Sequence, residues 1–248
     1  MLDVTTPIAL LTDFGTRDHY VGVMKGVILS INRHAQIVDI SHEVDSQDVT
    51  TAYFLLKNCY RYFPTGTIFV TVVDPEVGTE RPIVAVQTPD YLFLAPDNGS
   101  LSFLAQEKIE RMVHVTNRKL MLEPVSNTFH GRDIFAPCAA HLSLGLDLAK
   151  LGPPASSLTR FDCREPEISS EGVILGEVVS VDKFGNLVTN VSGDRVSDFK
   201  HIEVKLGKTV IQDLSRTYAD KKKGSVVALI GSGGELEISV AQGNAAKK

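Results

Sequence analysis

Along the first two thirds of the chain, short unbroken apolar runs alternate with stretches of helical spacing. IALLT at residues 8–12 is such a run and stops at Asp13-Phe14-Gly15. A run of this length without polar alternation predicts a strand buried on both faces. Val23, Val27, Ile28 and Ile31 then form one apolar stripe, with Gly22 and Gly26 permitting close packing, so a helix is expected from a cap at Asp18 to about Asn32. The pattern repeats with a strand from Gln36 (QIVDIS), a helix capped by Asp45 or Ser46 and running to about Tyr62, and a strand from Thr67 (TIFVTVVD) ending in Asp74. Strand–helix alternation of this kind predicts a parallel sheet. PIVAVQT and YLFLA are strands joined at Pro89-Asp90, a short helix is expected from Ser100, and Asp133 to Gly145 reads as the last helix.

After Leu151 the pattern changes. LGPPASSLTRFDCREPEISSEG has no periodicity and reads as a linker. Beyond it VILGEVVSVD, NLVTNV, HIEVKL, SVVALI and ELEISV are strands between Gly, Asp and Lys turns. The expectation is an α/β N-terminal domain with a central, mostly parallel sheet over residues 1–155, a linker at 156–172, and a smaller all-β, barrel-like C-terminal domain over 173–248.

Composition narrows the function. Of 248 residues, 43% are hydrophobic and 22% charged, which is ordinary for a folded globular protein. A net charge of −5 without a basic stripe disfavours nucleic acid as a partner, so a small ligand is expected. Cys59, Cys138 and Cys163 form no metal-binding spacing and read as reduced thiols. The first apolar run is too short for a membrane span and unlike a signal peptide, so the cytoplasm is expected.

Four polar clusters fall at element ends, where α/β folds place ligands: LTDFGT, VVDPEVGTER, NTFHGRD and VDKFGNLVTN. Asp13 is either a turn aspartate or the acceptor for a ribose diol. Asp74 and Arg81 are either a structural ion pair or a carboxylate kept ionised for chemistry. His130 is either a loop histidine or a group that polarises water near neutral pH. No HExxH, HxH or paired-carboxylate spacing points to a metal.

Taken in order, LLTDFGTRDHYVGVMKG, VDPEVGTERP, APDNGSL, NTFHGRDIFAP, VDKFGNLVTN, the YADKKKG turn and GSGGELEISVAQGNAA resemble the S-adenosylmethionine (SAM) hydroxide adenosyltransferases, relatives of the fluorinating and chlorinating enzymes, over nearly the whole chain. The resemblance implies a hydrolase that splits SAM into adenosine and L-methionine, with no cofactor. It also implies a homotrimer whose sites lie between one subunit's N-domain and its neighbour's C-domain. By position, Asp74, Arg81 and His130 match the family's water-holding trio, where halogenating relatives carry tyrosine in place of the aspartate and the histidine. Asp13 matches the ribose-diol ligand, with Thr128 and Phe129 in the site wall. Asp18, Asp182 and Ser232 match the methionine-binding positions, and Phe184, Asn186 and Tyr218 the adenine pocket. Gly233-Gly234-Glu235 replaces an aromatic usual before the LEI strand core. The sequence leaves open which of Asp74 and His130 takes the proton. It also leaves as rivals a halide-dependent transferase, a non-catalytic binding protein and, last, a metal-dependent phosphohydrolase.

Overall fold

The computed structural model describes residues 6–161, 166–169, 171–197, 199 and 201–248, and the chain divides into two compact units, Met1–Phe161 and Asp162–Lys248. Cys163 and part of the expected linker lie outside the described residues.

The first unit is built on six strands: β1 (Ile8–Thr12), β2 (Ile37–Ser41), β3 (Ile68–Val72), β4 (Ile83–Gln87), β5 (Leu92–Pro96) and β6 (Arg111–His114). Their order is β2-β1-β3-β5-β4-β6. The β2-β1, β1-β3 and β3-β5 pairs are parallel, whereas β4 is antiparallel to β5 and β6. Alternate side chains point to opposite faces of a strand. Ile8 and Leu10 therefore pack with Ile68, Val70 and Leu94 in one core cluster, and Ala9 and Leu11 with Phe69 and Phe93 in another. Helices α1 (Tyr20–Ile31) and α3 (Ala136–Ser143) cover the first face through Met24, Ile28, Ala139 and Ala140, and α2 (Val49–Cys59) covers the second through Ala52 and Leu56. That two-sided burial is why β1 and β3 are unbroken apolar runs; each fully buried Ile, Leu or Phe contributes about 1.5–3 kcal/mol.

Several expected boundaries move. Asp18 is exposed and does not cap α1; His19 holds that position without a side-chain cap. Asp48, rather than Asp45 or Ser46, caps α2 by accepting from Thr51 N at 2.9 Å, and the helix gives way to a 3₁₀ turn at Tyr60–Tyr62. The segment after Ser100 is a 3₁₀ turn, Ser102–Gln106. The last helix begins not at Asp133 but as a π-helical turn, Gly131–Phe135, running into α3.

The second unit holds a four-stranded antiparallel sheet of β9 (Val178–Val181), β10 (Leu187–Ser192), β13 (Val226–Ile230) and β14 (Glu235–Val240), in the order β13-β14-β10-β9. Two ribbons accompany it, β7 (Glu167–Ile168) with β8 (Ile174–Leu175), and β11 (Glu203–Leu206) with β12 (Thr209–Gln212). Val191, Val196, Ile211, Ala228, Leu236 and Ile238 form its core.

Candidate active site

Strand order brings the clusters of the first unit together. The chain leaves β1 on one side towards β2 and returns on the other as β3, and in such sheets the crevice beyond the strands' carboxyl ends is the ligand site. Thr12 pairs in register with Val72, so Asp13, one residue past β1, and Asp74, two past β3, emerge at the same end of the sheet. A cavity of about 340 Å³ opens there, bordered by Asp13, Phe14, Tyr20, Gln47, Asp74, Thr128, Phe129 and His130 among others.

Asp74 stands two residues beyond β3, and the loop after it folds back so that Arg81 Nε donates to Asp74 Oδ1 at 2.8 Å while Nη2 donates to Oδ2. Both side chains are shielded, Arg81 at 4% and Asp74 at 5% exposure. Gly78 makes this loop possible: its φ is +82°, and a Cβ there would lie 2.2 Å from the carbonyl oxygen of Asn127, next to the segment that carries His130. Arg81 Nη2 also lies 3.3 Å from His130 Nδ1, joining the three groups. His130 immediately precedes the π turn, a distortion common at functional sites. Asp133 anchors that turn, accepting from Ser126 N at 2.8 Å and from Arg132 Nε at 2.6 Å. Phe129 packs edge-on against Tyr20 and Phe14 to form the apolar wall.

Burial, then the Arg81 guanidinium, hold His130 below the usual imidazole value of 6.5, against the pull of Asp74 and Asp133. Burial, with help from the Asp74 carboxylate, pushes Asp13 above its usual 3.8, although Gln47 N donates to Asp13 Oδ2 at 2.8 Å. A second cavity of about 670 Å³ is bordered by Arg81 and His130 among others.

Thus Asp13, Asp74, Thr128, Phe129 and His130 share one cavity, with Arg81 tied to it through Asp74; Asp18 does not border it. In the second unit, Asp182 organises its own turn, Oδ1 accepting from Phe184 N at 2.9 Å and Asn186 N at 2.8 Å, and Oδ2 from Asn186 Nδ2 at 2.8 Å. Gly185 in that turn has φ +83° and abuts the Asn244 side chain. Asn186 is buried, whereas Phe184 is 72% exposed. Tyr218 donates to Glu237 Oε1 at 2.8 Å, and burial together with that carboxylate pushes its phenol up to about 12. Ser232 is exposed in the turn before β14. None of these five borders the largely apolar cavity of about 460 Å³ inside the second unit.

Sequence reasoning missed Gln47 and His42. Gln47 acts through its backbone N–H, which leaves no side-chain signal; His42 stands in DISH, directly after β2, at a strand end like the clusters that were read.

Residues 8–152 match the SAM hydroxide adenosyltransferase N-terminal domain and residues 176–248 the C-terminal domain of the same family. The chain belongs to the SAM hydroxide adenosyltransferase family. A family member from Thermus thermophilus, described as an (R)-S-adenosyl-L-methionine hydrolase, is 36% identical over 96% of this chain and 93% of its own length. A fluorinase from an Actinoplanes species is 32% identical over 74% of this chain and 71% of its own. A crystal structure of an uncharacterized conserved protein from Thermotoga maritima superposes with a TM-score of 0.90 at 37% identity, covering 97% of this chain and 95% of that one.

Proposed function

We propose that this chain hydrolyses S-adenosyl-L-methionine to adenosine and L-methionine. The observation that carries the reading is the placement of Asp74 and His130 on one cavity with Asp13, with Arg81 bridging the two from behind. Water oxygen attacks the ribose C5′, the C5′–S bond breaks, and its electron pair stays on sulfur, which leaves as the neutral thioether of methionine. A neutral leaving group needs no acid, so alignment is the main task and neither metal nor cofactor takes part.

The trio divides its work by donor chemistry. A guanidinium carries only donors, so His130 Nδ1 must accept from Arg81, and the ring proton sits on Nε2. Nε2–H then donates to the water oxygen and orients it, and Asp74 receives the proton. A carboxylate is a weak base, but water already bonding to C5′ is strongly acidic, so a weak base suffices. Asp13 accepts from the ribose hydroxyls, and Thr128 and Phe129 complete the wall.

Asp182 and Ser232, with Asp18, hold the methionine amino and carboxylate groups, and Phe184, Asn186 and Tyr218 hold adenine. Phe184 at 72% and Tyr218 at 44% exposure suit surfaces that meet another copy of the chain, which supports a homotrimer in which a neighbour's second unit, closed as a barrel-like domain, completes each site. Cys59 and Cys138 are free thiols, in keeping with a reducing cytoplasm.

The test is metal-stripped protein with SAM in H₂¹⁸O and halide-free buffer, followed by mass spectrometry. Adenosine labelled at its 5′ oxygen plus unlabelled methionine is expected. Intact SAM would leave a binding protein, and product that appears only with chloride would restore the halide reading.

A pH profile checks the assigned states. The free protein must present neutral His130 and ionised Asp13, and kcat/KM reports groups of the free enzyme. Because His130 titrates below 6.5, the acid limb of kcat/KM is expected to be centred below pH 6.5, activity falling as the imidazole gains its proton. An acid limb centred above 6.5 would contradict this.

A further inference from the structure

Beneath the cavity floor, side chains that the proposed chemistry does not use form a chain of contacts. Thr12, fully buried at the end of β1, has its Oγ1 2.9 Å from His42 Nδ1 and accepts from Phe14 N at 3.2 Å. His42, 3% exposed, has Nε2 3.0 Å from Asp39 Oδ1, and Asp39 Oδ2 accepts from Lys25 Nζ at 2.6 Å. The His42 carbonyl oxygen accepts from Gly15 N at 2.7 Å. The Thr12 hydroxyl, which already accepts from Phe14 N, pairs with His42 Nδ1 in either imidazole tautomer, and Nε2 meets Asp39 Oδ1 as a charge contact outside hydrogen-bond alignment. Although burial alone raises it, Lys25 and His42 hold the Asp39 carboxyl below its usual value, so it stays an anion beside the His42 ring.

The elements resemble a hydroxyl–imidazole–carboxylate triad, but burial of Thr12 and His42 keeps substrate away, so the chain acts by positioning. Everything it grips lies around Asp13: Thr12 before it, Phe14 and Gly15 after it. Gln47, held at φ +68°, fixes the Asp13 carboxylate from the other side. An outlier of that kind in a non-glycine residue persists where surrounding structure enforces it.

We propose that His42, acting through Thr12, is a positioning residue that sets the Asp13 carboxylate for the ribose 2′,3′-diol and thereby makes the site selective for an intact diol. This rests on the reading that Asp13 holds the ribose.

The test compares dissociation constants for adenosine and 3′-deoxyadenosine, with thermal midpoints recorded alongside. A hydrogen bond to a charged acceptor discriminates by roughly tenfold or more, so wild type is expected to prefer adenosine by at least about tenfold, and Asp13→Ala to abolish the preference. His42→Ala and Thr12→Val are each expected to shrink it to within about threefold of unity, and the double variant to go no further. His42→Asn, whose amide oxygen can replace Nδ1 opposite Thr12, is expected to restore most of it, whereas His42→Gln, which reaches only towards Asp39, is not. Thr12→Val is nearly isosteric and serves if His42→Ala fails to fold. A lowered thermal midpoint with the preference intact in Thr12→Val or His42→Ala overturns the proposal. An intact preference in Asp13→Ala overturns the ribose assignment itself, a separate outcome read from a separate variant.

Discussion

Asp74→Asn is expected to lower kcat by about 10²–10⁴-fold, the usual worth of general-base assistance, while adenosine affinity stays within about threefold. Asn keeps the size of the side chain and one acceptor for Arg81, so the loop from Asp74 to Arg81 retains its anchor. What it loses is the capacity to take a proton from the attacking water. That need arises as the C–O bond forms, so the loss appears in kcat and kcat/KM together rather than in binding. Single-turnover kinetics together with adenosine titration separate the two. A kcat within threefold of wild type would show that Asp74 is only the structural partner of Arg81.

Arg81→Met is expected to cost about 3 kcal/mol of unfolding free energy as well as nearly all activity. Removing one member of a shielded pair leaves the other as an uncompensated charge, the costly way to break a salt bridge. Here the stranded group is Asp74, whose side chain is 5% exposed and close enough to Asp13 to raise that group's pKa. The figure is set at the lower end of the usual range because Asp74 borders a cavity that admits water. In Asp74→Asn/Arg81→Met both charges are gone, and denaturant titration is expected to recover at least half of the lost stability with no return of activity. Equal destabilisation in the single and double variants would mean that Arg81 contributes packing rather than charge.

The sequence was most legible where burial is two-sided. β1 and β3 are continuous apolar runs because helices cover both faces of the sheet there; β1 has the expected bounds, and β3 begins one residue later and ends two residues earlier than expected. Caps were less legible. Asp45, Ser46 and Asp48 are chemically equivalent at the start of α2, and which one caps depends on where the chain leaves the turn after β2. β6 is short and only partly buried, so RMVH carries no clear period; it exists because β4 offers an edge. The π turn ahead of α3 was invisible for a similar reason, since GRDIF reads as ordinary helix until Asp133 is seen held by Ser126 and Arg132.

Local pattern and the order of motifs thus determined the strand–helix alternation of the first unit, the change to a mainly antiparallel β second unit, which also holds the short helix Gly193–Ser197, and the family, because the spacing of apolar residues and the chemistry of turns are properties of neighbouring positions. Only the tertiary structure decided that Asp13 and Asp74 stand together, that Arg81 links Asp74 to His130 through Nδ1, and that His42 lies under the Asp13 turn. These groups are 30 to 60 or more residues apart in pairs such as Thr12 with His42 or Asp13 with Asp74, and their meeting follows from strand order and register, which no local window contains.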